Sequence, residues 1–119
     1  LEVPVYGDGT AKRDFTYVGD IINGVEAAVY KPFPYEIINL GGSKTHEVHE
    51  LISIIEKKLG KKANVKKLPP AEGDVPVTCA DVGKAERLLG FKPEVGLDEG
   101  VGRYVSWFLG REKSGATEA

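Results

Sequence analysis

Apolar side chains recur along this chain in two rhythms. The helical one is clearest where Val48, Leu51, Ile52, Ile55 and Leu59 fall at i, i+3, i+4, i+7 and i+11, a single stripe of a 3.6-residue period. Thr45 is the expected cap of this helix and Gly60 its stop, with Lys57 and Lys58 placed for the C-terminal dipole. A second helix is expected from an Asp20 cap to about Tyr30, with Ile21, Val25, Ala28 and Val29 on one face and Pro32 and Pro34 ending it. Asp81 caps a short third helix through Leu89, closed by Gly90. Asp98 caps a fourth, with Leu97 as its hydrophobic staple and Val101, Val105 and Phe108 facing inward. The strand rhythm is weaker. Val3–Tyr6 and Glu36–Leu40 are short β-branched or aromatic runs, Arg13–Val18 alternates polar with apolar, and Asn64–Leu68 is a further candidate. Gly7-Asp8-Gly9-Thr10 reads as a turn and Pro69–Thr78 as a turn-rich loop. A few short strands with about four helices give an α/β unit, closer to a small α+β lobe than to a regular doubly wound sheet.

Length and composition narrow this picture. With 119 residues there is room for one domain. We set its bounds at residues 1–112 and read 113–119 (Lys-Ser-Gly-Ala-Thr-Glu-Ala) as a flexible polar tail. Sixteen basic residues against 18 acidic ones give a net charge of −2, which argues against a nucleic-acid partner. No apolar run is long enough to span a bilayer. The single Cys excludes an internal disulfide and fits a reducing, cytoplasmic setting. The chain starts at Leu1 and contains no Met, so we expect it to be a piece of something longer.

Few residues carry a chemical signal by themselves. Gly7-Asp8-Gly9 follows a strand, but a dinucleotide fingerprint needs a third Gly at position 12, where Lys12 stands. A hairpin turn is the better account. His46 and His49 lie three apart, not four as in a zinc-protease helix, so no metal site is assigned. Cys79 has no base nearby in sequence and reads as structural. Arg13 offers a bidentate fork suited to phosphate oxygens, with a salt bridge to Asp14 or Asp8 as the equal alternative. Glu72-Gly73-Asp74 is a turn with two carboxylates, open either to solvation or to accepting from ribose hydroxyls.

Taken in order, these stretches resemble one family. Val5-Tyr6-Gly7-Asp8-Gly9 and Arg13-Asp14-Phe15-Thr16-Tyr17-Val18-Gly19-Asp20-Ile21 resemble the "vyGdG…RDFtyVdD" segment of the extended short-chain dehydrogenases that act on nucleotide sugars. Ile38-Asn39-Leu40-Gly41 is similar to their "fNlGn" strand. Gly73-Asp74-Val75-Pro76, then Ala80-Asp81 and Leu88-Leu89-Gly90-Phe91-Lys92-Pro93, is similar to their "GDvp…aD…lLGykP" run, and Leu97 to Phe108 resembles their terminal helix. The nearest subgroups are the UDP-glucose and UDP-glucuronate 4-epimerases, with sugar-nucleotide dehydratases and decarboxylases as near relatives.

That resemblance implies the C-terminal, nucleotide-sugar-binding lobe of an enzyme whose N-terminal Rossmann domain holds NAD. It implies that Tyr6 and its strand neighbours meet the base, largely through backbone groups. It further implies that Arg13 binds the diphosphate and Asp74 the nucleoside, a UDP-sugar being favoured. In the full enzyme the reaction would be a transient NAD-dependent oxidation at C4. Gly19 and Ala71 depart from the family pattern, Ala71 standing where many relatives have Arg or Gln. The family's catalytic pair is a Tyr with a Lys four residues later. Tyr6, Tyr17, Tyr30, Tyr35 and Tyr104 are followed at that distance by Thr10, Ile21, Pro34, Asn39 and Phe108. No catalytic, cofactor-binding or metal residue is therefore assigned here, and the chain alone is expected to be inactive. Alternatives are a stand-alone nucleotide-sugar-binding or dimerisation module, or the lobe of a dehydratase or decarboxylase. We expect a homodimer, formed through apolar surface that the missing domain would otherwise cover.

Overall fold

Val3, Val5 and Tyr6 favour extended backbone, and strand β1 (Glu2–Tyr6) pairs in parallel with β4 (Asn64–Leu68), Tyr6 opposite Leu68. The computed structural model describes the backbone of residues 2–115 and side chains as far as residue 111. A second pair is antiparallel and only two residues long, β2 (Lys12–Arg13) with β3 (His46–Glu47). The helices among the described residues are α1 (Val18–Tyr30), α2 (Val48–Leu59), α3 (Gly83–Leu89) and α4 (Leu97–Gly115). Gly60 and Gly90 end α2 and α3 with φ of 63° and 68°, as the helix-stop reading expected.

Several boundaries differ from expectation. The strand expected at Arg13–Val18 stops at Arg13. Asp14 and Thr16 turn their side chains onto the Gly42 and Ser43 amides, which bends the segment away from β3. Asp20 does not cap α1. It lies inside the first turn, 4% exposed, and its Oδ2 accepts from the amides of Glu94 and Val95. Thr45 and Asp98 are not caps either. Glu47 precedes α2 in extended conformation without a side-chain bond to its amides, and Asp98 inside α4 pairs with Lys58 at 2.6 Å. Leu97 is the first residue of α4, not a staple before it. Asp81 comes closer to its expected role, accepting at 3.0 Å from the amide of Gly83, where α3 begins. The segment 36–40, expected as a strand, forms none and has no strand partner among the described residues. Helix α4 runs through Gly115, past the expected boundary at 112, and the rest of the expected tail, 116–119, lies outside the described residues.

Helix α1 packs on α3. Ala85, Leu89 and Phe91 form the buried cluster, joined by Ala27, Ala28, Ile38 and Leu40. A Cβ at Gly24 would sit 2.8 Å from Leu40 and Phe91 side-chain atoms, so the missing side chain allows this close approach. Helices α2 and α4 pack together, with Val101 and Val105 buried and Phe108, expected inside, 42% exposed. The α1 face carrying Val18, Ile22, Val25 and Val29 is bare, Val29 being 71% exposed. The expected inward positions Val25 and Val29 thus point away from the core that Gly24 and Ala28 meet. The radius of gyration is 17.4 Å, with extents of 48 × 41 × 22 Å. A self-contained domain of this length would have a radius of about 13 Å. The fold is a slab with an uncovered apolar side. Among the described residues no helix is long and apolar enough to cross a membrane.

Candidate functional site

The site is built around β2. Its left edge pairs with β3; its right edge takes the returning loop after β4. The Lys12 amide donates to the Pro76 carbonyl at 2.8 Å, and the Thr78 amide donates back to the Lys12 carbonyl at 3.0 Å. This short parallel bridge, Lys12 with Val77, brings the 71–74 turn against Arg13. Within that turn Asp74 donates its amide to Ala71 at 3.2 Å, and Gly73 has φ 79°.

Arg13 and Asp74, 61 residues apart in sequence, meet here. Arg13 Nη2 donates to Asp74 Oδ1 at 2.5 Å and Nη1 to the Lys12 carbonyl at 2.8 Å. The sequence offered Asp14 or Asp8 as the salt-bridge partner of Arg13; the partner is Asp74 instead. Side-chain exposures of 23% and 47% keep the pair in contact with solvent. A guanidinium has five N–H donors, so two bonds leave three for an oxyanion. Asp74 Oδ1 also accepts the Val75 amide at 3.0 Å, and its other oxygen has no hydrogen bond among the described residues. Beside the pair lies a groove of about 560 Å³, within the size range of small-ligand sites. Tyr6, Asp8, Lys67, Ala71 and Asp74 line it. All three residues singled out in sequence, Tyr6, Arg13 and Asp74, are therefore at or beside one groove.

Asp14 is the residue that sequence reasoning undervalued. Its Oδ1 accepts from Gly42 N at 2.8 Å and Thr16 Oγ1 at 2.9 Å; its Oδ2 accepts from Ser43 N and Ala80 N, each at 3.0 Å. Partial burial pushes this carboxyl up. The Ala80 amide, the Thr16 hydroxyl and the Gly42 and Ser43 amides outweigh that and hold it below the ordinary carboxylate range. Asp14 thus ties three loops behind Arg13. The Asp-x-Thr spacing, which favours local side-chain bonds over strand pairing, was the available signal. Asp8 is likewise held low, by the Thr10 hydroxyl and amide.

The remaining candidates fall elsewhere. His46 meets Glu50 at 3.1 Å and His49 meets Glu47 at 3.1 Å, while His49 Nδ1 lies 3.0 Å from the Gly9 carbonyl. Cys79 is free and exposed rather than buried. The Gly7–Thr10 turn leads into β2, with no helix following it to receive a dinucleotide phosphate, so these residues do not fit NAD. A larger cavity of about 670 Å³ lies between α2, α4 and the 15–18 segment. Its lining is almost wholly apolar, including Phe15, Leu51, Ile55 and Trp107, with Arg103 stacked 5.0 Å over Tyr17. It has too few polar groups to orient a nucleotide.

Among the described residues, four helices and two short strand pairs match the C-terminal portion of epimerase structures of the short-chain dehydrogenase type. The chain belongs to the GDP-mannose 4,6 dehydratase family, whose model matches residues 1–104. It is 49% identical over 108 residues to an uncharacterized protein of Methanocaldococcus jannaschii, covering 91% of this chain and 33% of that protein. It is 46% identical over 106 residues to a UDP-glucuronate 4-epimerase of Thermodesulfobacterium geofontis, covering 88% and 32%. Among solved structures, an epimerase of Methanothermobacter thermautotrophicus matches with a TM-score of 0.87 at 32% identity, over 99% of this chain and 36% of that one. The UDP-glucuronic acid 4-epimerase of Bacillus cereus, in complex with UDP-glucuronic acid and NAD, matches with a TM-score of 0.78 at 38% identity, over 84% and 32%. The chain thus spans about a third of the length of these relatives.

Proposed function

We propose that this chain is the substrate-binding lobe of a nucleotide-sugar 4-epimerase that takes a UDP-linked hexuronate or hexose. The observation that carries this reading is the meeting of Arg13 and Asp74 at the groove lined by Tyr6. In it, the three spare donors of Arg13 bind the diphosphate and the free oxygen of Asp74 accepts from the ribose. Strand β1 is paired along one edge only among the described residues. Its other edge, with the exposed Tyr6 ring, offers backbone groups and an aromatic surface to the base. Binding energy gathered this far from the reacting carbon serves to position the sugar.

The chemistry at C4, and the NAD that supports it, belong in this reading to the part of the protein beyond this chain. Two things support that: relatives three times as long that hold NAD and UDP-sugars, and a Gly7–Thr10 turn that does not fit a dinucleotide. The bare face of α1 is then the side covered by that part. In isolation the same face pairs two copies of the chain, which sedimentation at increasing concentration would show as a dimer.

Calorimetric titration tests the binding role. The purified chain should bind UDP-glucuronic acid or UDP-glucose and show no turnover, with Arg13→Ala weakening binding at least tenfold. Binding no tighter than that of free phosphate, unchanged by Arg13→Ala, would refute nucleotide recognition. Epimerisation by the purified chain alone would refute the assignment of C4 chemistry to the rest of the protein.

A further inference from the structure

The groove beside Arg13 is lined by a second cation, Lys67. Lys67 stands on β4 opposite Val5, one step before the Leu68–Tyr6 pair. Lys67 is among the residues that line the same groove as Tyr6, Asp8 and Asp74. Side chains alternate across a strand, so its neighbour Lys66 faces the other way, where it meets Glu2 at 3.3 Å. Among the described residues the Lys67 ammonium has no ion pair and no hydrogen bond. It acts through space on the Asp8 carboxylate, lowering its pKa. That carboxylate is already held by Thr10, at 3.0 Å from the amide and 2.5 Å from the hydroxyl.

The charge balance of the groove gives this lysine a role. Arg13 and Asp74 neutralise each other at 2.5 Å, and Asp8 adds a further negative charge. A diphosphate brings about two more, so Arg13 alone would leave the loaded groove strongly anionic. Ala71, also lining the groove, contributes no polar side chain. Lys67 is the cation among the residues that line the groove, with Arg13 standing beside it through Asp74. It sits on a strand whose backbone is fixed by pairing with β1, while its four-carbon stem can swing to a phosphate oxygen.

We propose that Lys67 determines the preference of this groove for a diphosphate, its ammonium binding the phosphate oxygens from the β4 wall while Arg13 holds them from β2. This rests on the nucleotide reading above. A lysine acts as a mobile point charge rather than a fork, so its effect scales with the phosphate charge and leaves the nucleoside alone.

The test is calorimetric titration of the chain with UDP, UMP and uridine, for the parent protein and for Lys67→Met, Lys67→Arg and Arg13→Ala, at low and at moderate salt. Lys67→Met should weaken UDP binding by about fivefold to twentyfold, weaken UMP less, and leave uridine within twofold. Its UDP affinity should also fall less steeply with salt than the parent's. Lys67→Arg should restore most of the loss. If Arg13→Ala loses UDP while Lys67→Met stays within twofold of the parent, the nucleotide site stands and the role of Lys67 is wrong. An equal loss for uridine and UDP would also overturn it, because the residue would then act on the nucleoside or the fold. No UDP binding by the parent chain would remove the nucleotide reading itself.

Discussion

Replacing Asp14 with Asn changes one atom of the hub behind Arg13 and removes its charge. In the folded chain both carboxylate oxygens are used, Oδ1 by Gly42 N and Thr16 Oγ1, Oδ2 by Ser43 N and Ala80 N. An Asn can best keep its carbonyl toward Ser43 and Ala80. Its amide nitrogen then faces the Gly42 N–H, whose remaining acceptor is Thr16 Oγ1 at 2.8 Å. One hydrogen bond becomes a donor–donor contact, and the others lose their charge assistance. Hydrogen bonds to a charged group contribute about 1.5–3 kcal/mol each. With partial solvent access the Asn variant should lose about 2 kcal/mol. For a urea dependence of about 1.5 kcal/mol per M, that moves the unfolding midpoint down by roughly 1.3 M. Urea titration followed by far-ultraviolet circular dichroism reads this out. The pH dependence supplies an independent check. The folded carboxyl lies below its ordinary value, so its stabilisation is present above the unfolded value of about 3.9 and is lost as pH falls through the lower folded value. The gap between parent and variant should therefore be full near neutrality and close only in acid. A midpoint shift under about 0.3 M at neutral pH would refute the hub.

Two further variants probe how the loops are held. Asp20 uses a single oxygen, Oδ2, for the amides of Glu94 and Val95, at 3.2 and 3.0 Å. Asp20→Ala should cost about 2–4 kcal/mol by leaving both amides unpaired, whereas Asp20→Asn, whose carbonyl can take the same place, should cost far less; equal losses in urea titration would count against this account. A Cβ at Gly41 would lie 2.4 Å from the Ala80 Cβ, so Gly41→Ala should destabilise by about 1–3 kcal/mol. Ala80→Gly in the same chain should recover much of that loss, and a double-mutant cycle showing simple additivity would reject the clash.

What the sequence made legible follows from which forces act locally. The α2 stripe, the Gly60 and Gly90 stops and the β1 and β4 strands were readable because each depends on a period or on backbone conformation within a few residues. The caps at Asp20, Thr45 and Asp98 were misread for one shared reason. A carboxylate or hydroxyl near a helix start bonds the nearest amides by default, but a tertiary partner can claim it or move the boundary. Asp20 went to Glu94 and Val95, Asp98 to Lys58, and Thr45 lies before the His46–Glu47 strand. The Arg13–Asp74 contact was illegible for a similar reason, since it depends on the Lys12–Val77 bridge, which joins segments far apart in the chain.

The α1 face is the instructive failure. Its periodicity was read correctly as apolar, yet Val25 and Val29 are exposed and the core side of the helix is Asp20, Gly24, Ala27 and Ala28. Periodicity says that a face is apolar; it does not say which partner covers it. Here the small residues meet the core, because Gly24 lets Leu40 and Phe91 come close, and the large ones are exposed. A helix with a close-packing side of small residues and an opposite side of large apolar ones has two packing sides. The chain fills one of them. The other, with the slab shape and a radius of gyration well above that of a self-contained domain, carries the physical case for reading this chain as one lobe of a larger molecule. That case stands independently of any likeness to relatives three times its length.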